Sequence, residues 1–131
     1  SEFFLKNKMC KGVEVLCSGT SGVIPEDAPL APVGAIKALL DQTKISLSNV
    51  AFVELMEAYA AQAIICTRLC DLDLDKVNIR GGALSRGHPI GASGAILVVR
   101  LFNELINTSG ASGMAAIAAA GGIGSAIMLR S

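Results

Sequence analysis

The sequence has few aromatic residues, a single histidine and no net charge, and each of these limits what the protein can be. It has no tryptophan, and phenylalanine and tyrosine bring the aromatic content to only 4%. Because 52% of the residues are apolar, the core must be formed from alanine, isoleucine, leucine and valine. Eleven basic residues balance eleven acidic ones. This balance argues against a broad nucleic-acid-binding surface.

Signals for membranes and metals are also missing. No apolar run is long enough to span a bilayer, and no signal peptide is recognisable, so we expect no membrane association. None of the four cysteines (Cys10, Cys17, Cys66 and Cys70) forms a Cys-x-x-Cys pair. With one histidine, little remains for a zinc site, and no metal is predicted. We expect reduced thiols in a cytoplasmic protein.

The order of predicted elements indicates one α/β domain. Strands are predicted over residues 11–18, 49–55, 114–119 and 125–129, and a glycine-rich turn at 120–124 predicts a C-terminal antiparallel hairpin. One helix is predicted to begin near Pro32, with Val33, Ile36, Leu39 and Leu40 on its buried face. Further helices are predicted over 57–70, directly after a strand, and over 92–106, mostly buried.

The sequence also predicts the structure of three other segments. Residues 19–32 contain three prolines and two glycines, which predicts a surface loop. Asp71, Asp73 and Asp75 resemble the opening of a calcium loop, but Lys76 stands where that loop needs glycine, so a solvated acidic loop is expected. Residues 3–9 look like the end of a helix, which predicts that an upstream element is missing.

The most informative segment runs from Gly81 to Ala95 and holds His88 between Gly87 and Pro89. Glycine lets the backbone adopt a positive φ, and imidazole both accepts and donates protons near neutral pH. This combination predicts a functional site. A phosphate-binding loop and a serine nucleophile elbow are both excluded, because neither glycine spacing is present.

Two further features leave alternatives open. Glu54 and Glu57 are candidate acid–base groups, although carboxylates at a strand–helix junction commonly cap or hydrogen-bond the backbone. The turn at 120–124 is either a simple hairpin that needs positive φ or a set of exposed N–H groups that stabilise an oxyanion.

Three blocks of sequence give the chain a family resemblance: residues 54–60 (ELMEAYA), 78–95 (NIRGGALSRGHPIGASGA) and 118–124 (AAAGGIG). Together with weaker similarity over 22–40, they resemble the C-terminal domain of a thiolase across nearly the whole chain. The resemblance implies a thiolase-like layered α/β fold with a mixed sheet, of which residues 1–131 form the C-terminal half. It also implies that the N-terminal half, with its nucleophilic cysteine, is missing.

The resemblance assigns roles to five residues that keep a usable group. His88 matches the histidine that activates the nucleophile and contributes to the first oxyanion hole. Ala120 stands where a glycine offers its N–H to the second oxyanion hole, and Tyr59 replaces a phenylalanine that lines the acyl pocket. Pro89 and Ile90 are assigned with Tyr59 to substrate binding. We expect His88 and the 120–124 turn to face one shared hollow.

Two positions depart from the family. Met56 occupies the place of the asparagine that orients a water in the first oxyanion hole, and such a donor contributes roughly a few kcal/mol. Ala118 occupies the place of the second catalytic cysteine, the base that moves the α-proton. A methyl group accepts no proton, so condensation should be impaired.

The implied activity is acyl transfer on acyl-CoA thioesters, by Claisen condensation or thiolysis, as in fatty acid metabolism. Coenzyme A is the substrate carrier, no separate cofactor is implied, and the full-length protein is expected to be a homodimer or homotetramer. The alternative is a non-catalytic thiolase-like protein that binds CoA esters or acts as a scaffold, because of Met56 and Ala118. A gene fragment without activity is a third possibility. This chain alone is expected to be inactive and, with its apolar surface uncovered, to self-associate.

Overall fold

The computed structural model describes Lys6 and residues 11–131. The helix end predicted over residues 3–9 lies outside the described residues, apart from Lys6, and so does Cys10.

A four-stranded mixed sheet forms the centre of the fold. Its strands are β1 (Glu14–Gly22), β2 (Val50–Leu55), β3 (Ser112–Ala119) and β4 (Ile123–Arg130). They are ordered β1-β4-β3-β2, with β4 antiparallel to both of its neighbours and β2 parallel to β3. The predicted α/β class, with a mixed sheet and a C-terminal hairpin, is confirmed.

Helices cover both faces of this sheet. They are α1 (Ala31–Thr43), α2 (Ala60–Leu69), the single-turn α3 (Ala83–Arg86) and α4 (Ser93–Leu105). Short 3₁₀ turns lie at Pro25–Leu30, Leu47–Asn49 and Leu74–Lys76. Pro32 stands in the first turn of α1 as predicted, where its missing N–H has no helical partner to lose.

The core has one cluster on each face of the sheet. On one face Ile36 and Leu39 of α1 pack with Met114 and Met128 of the sheet. Val33 and Leu40, predicted on the same buried face of the helix, are partly buried against this cluster. On the other face α4 packs on β2 and β3 through its buried stripe of Leu97, Leu101 and Leu105. Side chains alternate along a strand, so β3 and β4 contribute to both clusters.

Three local predictions were wrong. Residues 19–32 are not a surface loop, because β1 continues to Gly22 along β4 and the proline-rich part forms a 3₁₀ turn. The strand does not run directly into the next helix, since four residues separate β2 from α2. Finally, α4 is buried along one stripe only, and Val99 on its other side is 58% exposed.

The last turn is a hairpin, as predicted. Gly121 and Gly122 have φ of 85° and 83°, conformations that L side chains rarely adopt. Gly122 is further restricted because a Cβ on it would lie 2.2 Å from the carbonyl oxygen of Val23. The predicted acidic loop is also confirmed, since Asp71, Asp73 and Asp75 are all exposed.

Within the described residues, no helix reaches the length and apolar character that a bilayer crossing requires. In the same part of the chain, no three His, Cys, Asp or Glu side chains group closely enough to share a metal ion.

Candidate functional site

Three segments that the sequence analysis singled out begin at the same edge of the sheet. Because β2 and β3 are parallel, the residues after β2 and the turn after β3 follow the same edge. Val77 forms a parallel bridge with Val53, so the chain also enters the glycine loop from this direction. The backbone N–H of Met56 donates to Ala116 O at 2.9 Å and fixes the first segment against β3.

The histidine loop lies between α3 and α4 and is held by the first turn of α4. His88 is exposed, and its Nδ1 lies 2.7 Å from the hydroxyl oxygen of Ser93. The Ser93 hydroxyl donates to Pro89 O at 3.0 Å. Gly87 has a φ of 96°, which lets the chain turn out of α3 immediately before His88.

Glu57 ties the loop after β2 to the histidine loop. One carboxylate oxygen accepts from the side-chain amide of Asn78 at 2.7 Å, and the other accepts from the N–H of Leu84 at 2.9 Å. Asn78 is itself fixed on Leu55, whose N–H and C=O it binds at 2.9 Å each. A Cβ on Gly82 would lie 2.0 Å from the Glu57 carboxylate, so glycine is needed for this close approach.

Glu54 holds the other side of the same loop through α4. Its carboxylate is 2% exposed and accepts from Arg100 Nε at 2.7 Å, while Arg100 Nη2 donates to Gly81 O at 2.7 Å. Burial raises the pKa of the Glu54 carboxyl above its ordinary value, and Arg100 offsets part of that effect. Glu57 fits the structural interpretation, because its carboxylate accepts the backbone N–H of Leu84. Glu54 is instead paired with the side chain of Arg100, which in turn binds the backbone of the loop.

The predicted site residues differ in accessibility. Met56 is 2% exposed and packs with Ala83 and Leu97, so its side chain belongs to the core. Tyr59 is 48% exposed just before α2, and Ile90 is 82% exposed beside Pro89, which is also exposed. Ala118 is half-buried near the end of β3, and Ala120 is exposed in the hairpin turn. The roles assigned to these residues stay predictions.

The described cysteines are poorly suited to nucleophilic chemistry. Cys17, Cys66 and Cys70 are free thiols, and the latter two are buried. Burial raises the pKa of all three, and that of Cys70 reaches about 11. Since the thiolate is the nucleophile, none of them is ready to carry an acyl group at neutral pH.

An open groove of about 590 Å³ lies on the sheet beside α4. Ser18 and Thr20 of β1, Ser125 and Ile127 of β4, and Val98 of α4 are among the residues that line it. None of the predicted site residues is in its lining. We call this surface the open sheet face, because α4 lies mainly over β2 and β3, and no other helix of residues 11–131 packs over β1 and β4 on this side.

Comparison with known proteins assigns the chain to a family. The thiolase C-terminal domain family matches residues 7–131. The chain belongs to the thiolase family. The match agrees with the family and with the C-terminal domain that the resemblance implied.

Individual thiolases agree with this assignment. The beta-ketoadipyl-CoA thiolase of Acinetobacter baylyi is 40% identical over 119 residues, which is 88% of this chain and 29% of that protein. The crystal structure of the Acat5 thiolase of Ascaris suum, in complex with coenzyme A, is 37% identical with a TM-score of 0.93, and the match covers 99% of this chain and 34% of that one.

A third similar structure describes the whole architecture of such an enzyme. The peroxisomal 3-ketoacyl-CoA thiolase of Saccharomyces cerevisiae is 31% identical with a TM-score of 0.91, over 98% of this chain and 36% of that one. It is a five-layered structure built from two core domains of identical topology. The present thiolase chain thus spans about a third of the length of the thiolases that it matches.

Sequence reasoning missed the residues that hold the histidine loop in place. Neither Ser93 nor Arg100 has a role in the sequence analysis. A signal was available for Arg100, because a charged residue within an apolar helix usually has a buried partner. For Ser93, the position in the first turn of a predicted helix only indicated capping.

Proposed function

We propose that this chain is the C-terminal wall of the active site of a thiolase-type acyltransferase that acts on acyl-CoA thioesters. The main support is the glycine-rich loop, which exposes His88. Hydrogen bonds from Glu57, Arg100 and Ser93 fix this loop and the residues next to it. Such anchoring is expected of a catalytic base, which must be held within about 0.5 Å of its productive position.

In this proposal His88 accepts the proton of a cysteine thiol supplied by the N-terminal half of the enzyme. The resulting imidazolium then donates a hydrogen bond to the thioester oxygen while the thiolate attacks its carbonyl carbon. Coenzyme A, which the Ascaris enzyme binds, is the expected carrier of both acyl groups. The N–H groups of Ala120 and Gly121, two exposed residues of the hairpin turn, are candidate donors to a second oxyanion.

The open sheet face is the proposed contact with that N-terminal half. Its lining is mostly apolar or hydroxylic and carries no charged side chain, which suits a surface that is covered by another layer. The yeast enzyme has two core domains of identical topology in five layers, and this chain supplies one such domain. We further propose that the complete protein is a homo-oligomer. A cytoplasmic location stays a prediction, since the similar proteins include a peroxisomal thiolase.

The test is acetoacetyl-CoA thiolysis and acetyl-CoA condensation, measured with the longest protein that the gene encodes. His88→Ala should lower kcat/KM by roughly 10²–10⁴, as expected for loss of a general base. Ser85→Ala, which removes a hydroxyl from the helix turn just before the loop and whose hydrogen bond goes to Gly82 O, is the matched control and should retain activity. Equal turnover by the His88→Ala variant and the unmodified protein would refute the proposal.

A second candidate function, binding of CoA esters without turnover, is favoured by Met56. Its side chain is buried in the core where the family orients a water, and Ala118 lacks a proton-accepting group. The double variant Met56→Asn with Ala118→Cys distinguishes the catalytic function from the non-catalytic one. A large gain in rate identifies a disabled catalytic scaffold, whereas calorimetric binding of acetyl-CoA with no turnover in either protein supports the non-catalytic function.

A further inference from the structure

The hydrogen bonds around His88 bear on which of its two ring nitrogens carries a proton. Ser93 is the first residue of α4, is fully buried, and has its hydroxyl oxygen 2.7 Å from His88 Nδ1 and 3.0 Å from Pro89 O. The carbonyl of Pro89 also accepts the backbone N–H groups of Ala92 and Ser93, at 2.8 and 2.9 Å. The loop and the helix start therefore form one rigid unit around the imidazole.

Counting protons favours one direction for these bonds. The hydroxyl of Ser93 has one proton, and a carbonyl oxygen can only accept. If that proton pointed to His88, two oxygens with only lone pairs between them would face each other at 3.0 Å. If it points to Pro89, both contacts are satisfied, provided that Nδ1 of His88 is the donor to Ser93.

We propose that Ser93 is a positioning residue that keeps the proton of neutral His88 on Nδ1 and leaves Nε2 as the free base. The protonation of one ring nitrogen is set by the hydrogen bond that the other makes. Burial of Ser93 strengthens this control, because the hydroxyl has no water to turn to and is held between its two partners.

The chemical consequence rests on the function proposed above. With a lone pair on Nε2, the ring takes the proton of the incoming thiol at that atom, and the sulfur retains the electron pair as a thiolate. The imidazolium then has both N–H bonds, and its Nδ1–H continues to donate to Ser93. The opposite tautomer would place a proton on Nε2 and leave no acceptor for the thiol.

The test uses nitrogen NMR on the 131-residue chain, in which the single histidine gives one unambiguous ring. At about pH 8.5, where a free imidazole is neutral, the ¹⁵N shifts and ring couplings should show a protonated Nδ1 and an unprotonated Nε2. A protonated Nε2 in the unmodified chain overturns the proposal without any variant.

A pair of variants assigns the effect to Ser93. Ser93→Ala should move the ring to the Nε2-protonated form that predominates in free histidine. Ser85→Ala also deletes a hydroxyl that donates to a loop carbonyl, at 2.8 Å, but it should keep the Nδ1 proton. A folded Ser93→Ala chain that retains the Nδ1 proton overturns the proposal, and if this variant does not fold, the spectrum of the unmodified chain decides.

The tautomer is measured without turnover, so the two proposals fail separately. An inactive protein with the predicted tautomer refutes only the catalytic function. An active protein with the proton on Nε2 refutes only the role of Ser93.

Discussion

At the scale of single residues, the site is held by buried polar groups in which each donor has an acceptor. Among the described residues, no buried side-chain nitrogen or oxygen lacks a hydrogen-bond partner. Glu54 is the most costly of these groups, because its carboxylate is almost completely removed from water. Its pKa therefore has a consequence for stability that can be measured.

Glu54 should make the free energy of unfolding fall as pH rises. Its pKa is raised by burial in the folded chain, so the folded state binds this proton more tightly than the unfolded state does. The stability that protonation contributes is complete below the ordinary value of 4.5 and is lost as pH rises through the raised value. Urea unfolding measured at increasing pH, starting below the ordinary value of 4.5, should show this decline.

Substitutions identify the group responsible. In Glu54→Gln the declining slope should be absent, because no proton is released there. Glu14→Gln, which neutralises a side chain that is 67% exposed, should keep it. An unchanged slope in Glu54→Gln would show that another group controls the titration.

At the scale of elements, the packing of α1 on the sheet depends on glycine at one strand position. A Cβ on Gly124 of β4 would lie 2.1 Å from the carbonyl oxygen of Ala31, at the start of α1. The same carbonyl accepts the hydroxyl of Ser21 on β1 at 2.6 Å. The start of α1 therefore packs directly on two neighbouring strands, β1 and β4. Moving the helix away from the sheet would break the hydrogen bond between Ser21 and Ala31.

Gly124→Ala should destabilise the chain by about 3 kcal/mol, through overpacking against a backbone atom. Gly22→Ala is the matched control, since Gly22 lies on the adjoining strand and a Cβ there meets nothing within 4 Å. Its effect should stay within about 0.5 kcal/mol. Chemical denaturation measures both, and equal effects would mean that α1 adjusts freely.

At the scale of the whole molecule, the helices within the described part of the chain leave one surface of the sheet uncovered. α1 packs against β1 and β4 on one side of the sheet, whereas α4 on the other side lies mainly over β2 and β3. The open sheet face results, with the apolar Val15 and Ile123 nearby at 60% and 50% exposure. Apolar surface of this kind favours association.

The isolated chain should therefore self-associate through this face. Thr20→Lys places a charge in the groove from an exposed position on β1 and should shift the chain toward monomer. Gln42→Lys adds the same charge at an exposed position near the end of α1 and should leave association unchanged. Sedimentation velocity distinguishes these outcomes, and an equal response to both substitutions would place the contact elsewhere.

Local patterns were sufficient for most elements of the fold. Strand β2, the first turn of α1 and the hairpin after β3 follow from apolar periodicity, proline and glycine, which act over a few residues. The same chemistry misled over residues 19–32, where Gly19 and Gly22 pair with Ala126 and Ile123 of a distant strand. Tertiary pairing there overrode the local preference for a loop.

The sequence by itself determined the α/β class, the glycine loop around His88 and the family, because these depend on residue type and local order. Only the tertiary structure decided the strand order and the ion pair between Glu54 and Arg100, which are 46 positions apart. It also decided which side of the sheet remains open. These features depend on which elements pack together to bury apolar surface, and that choice is made over the whole chain.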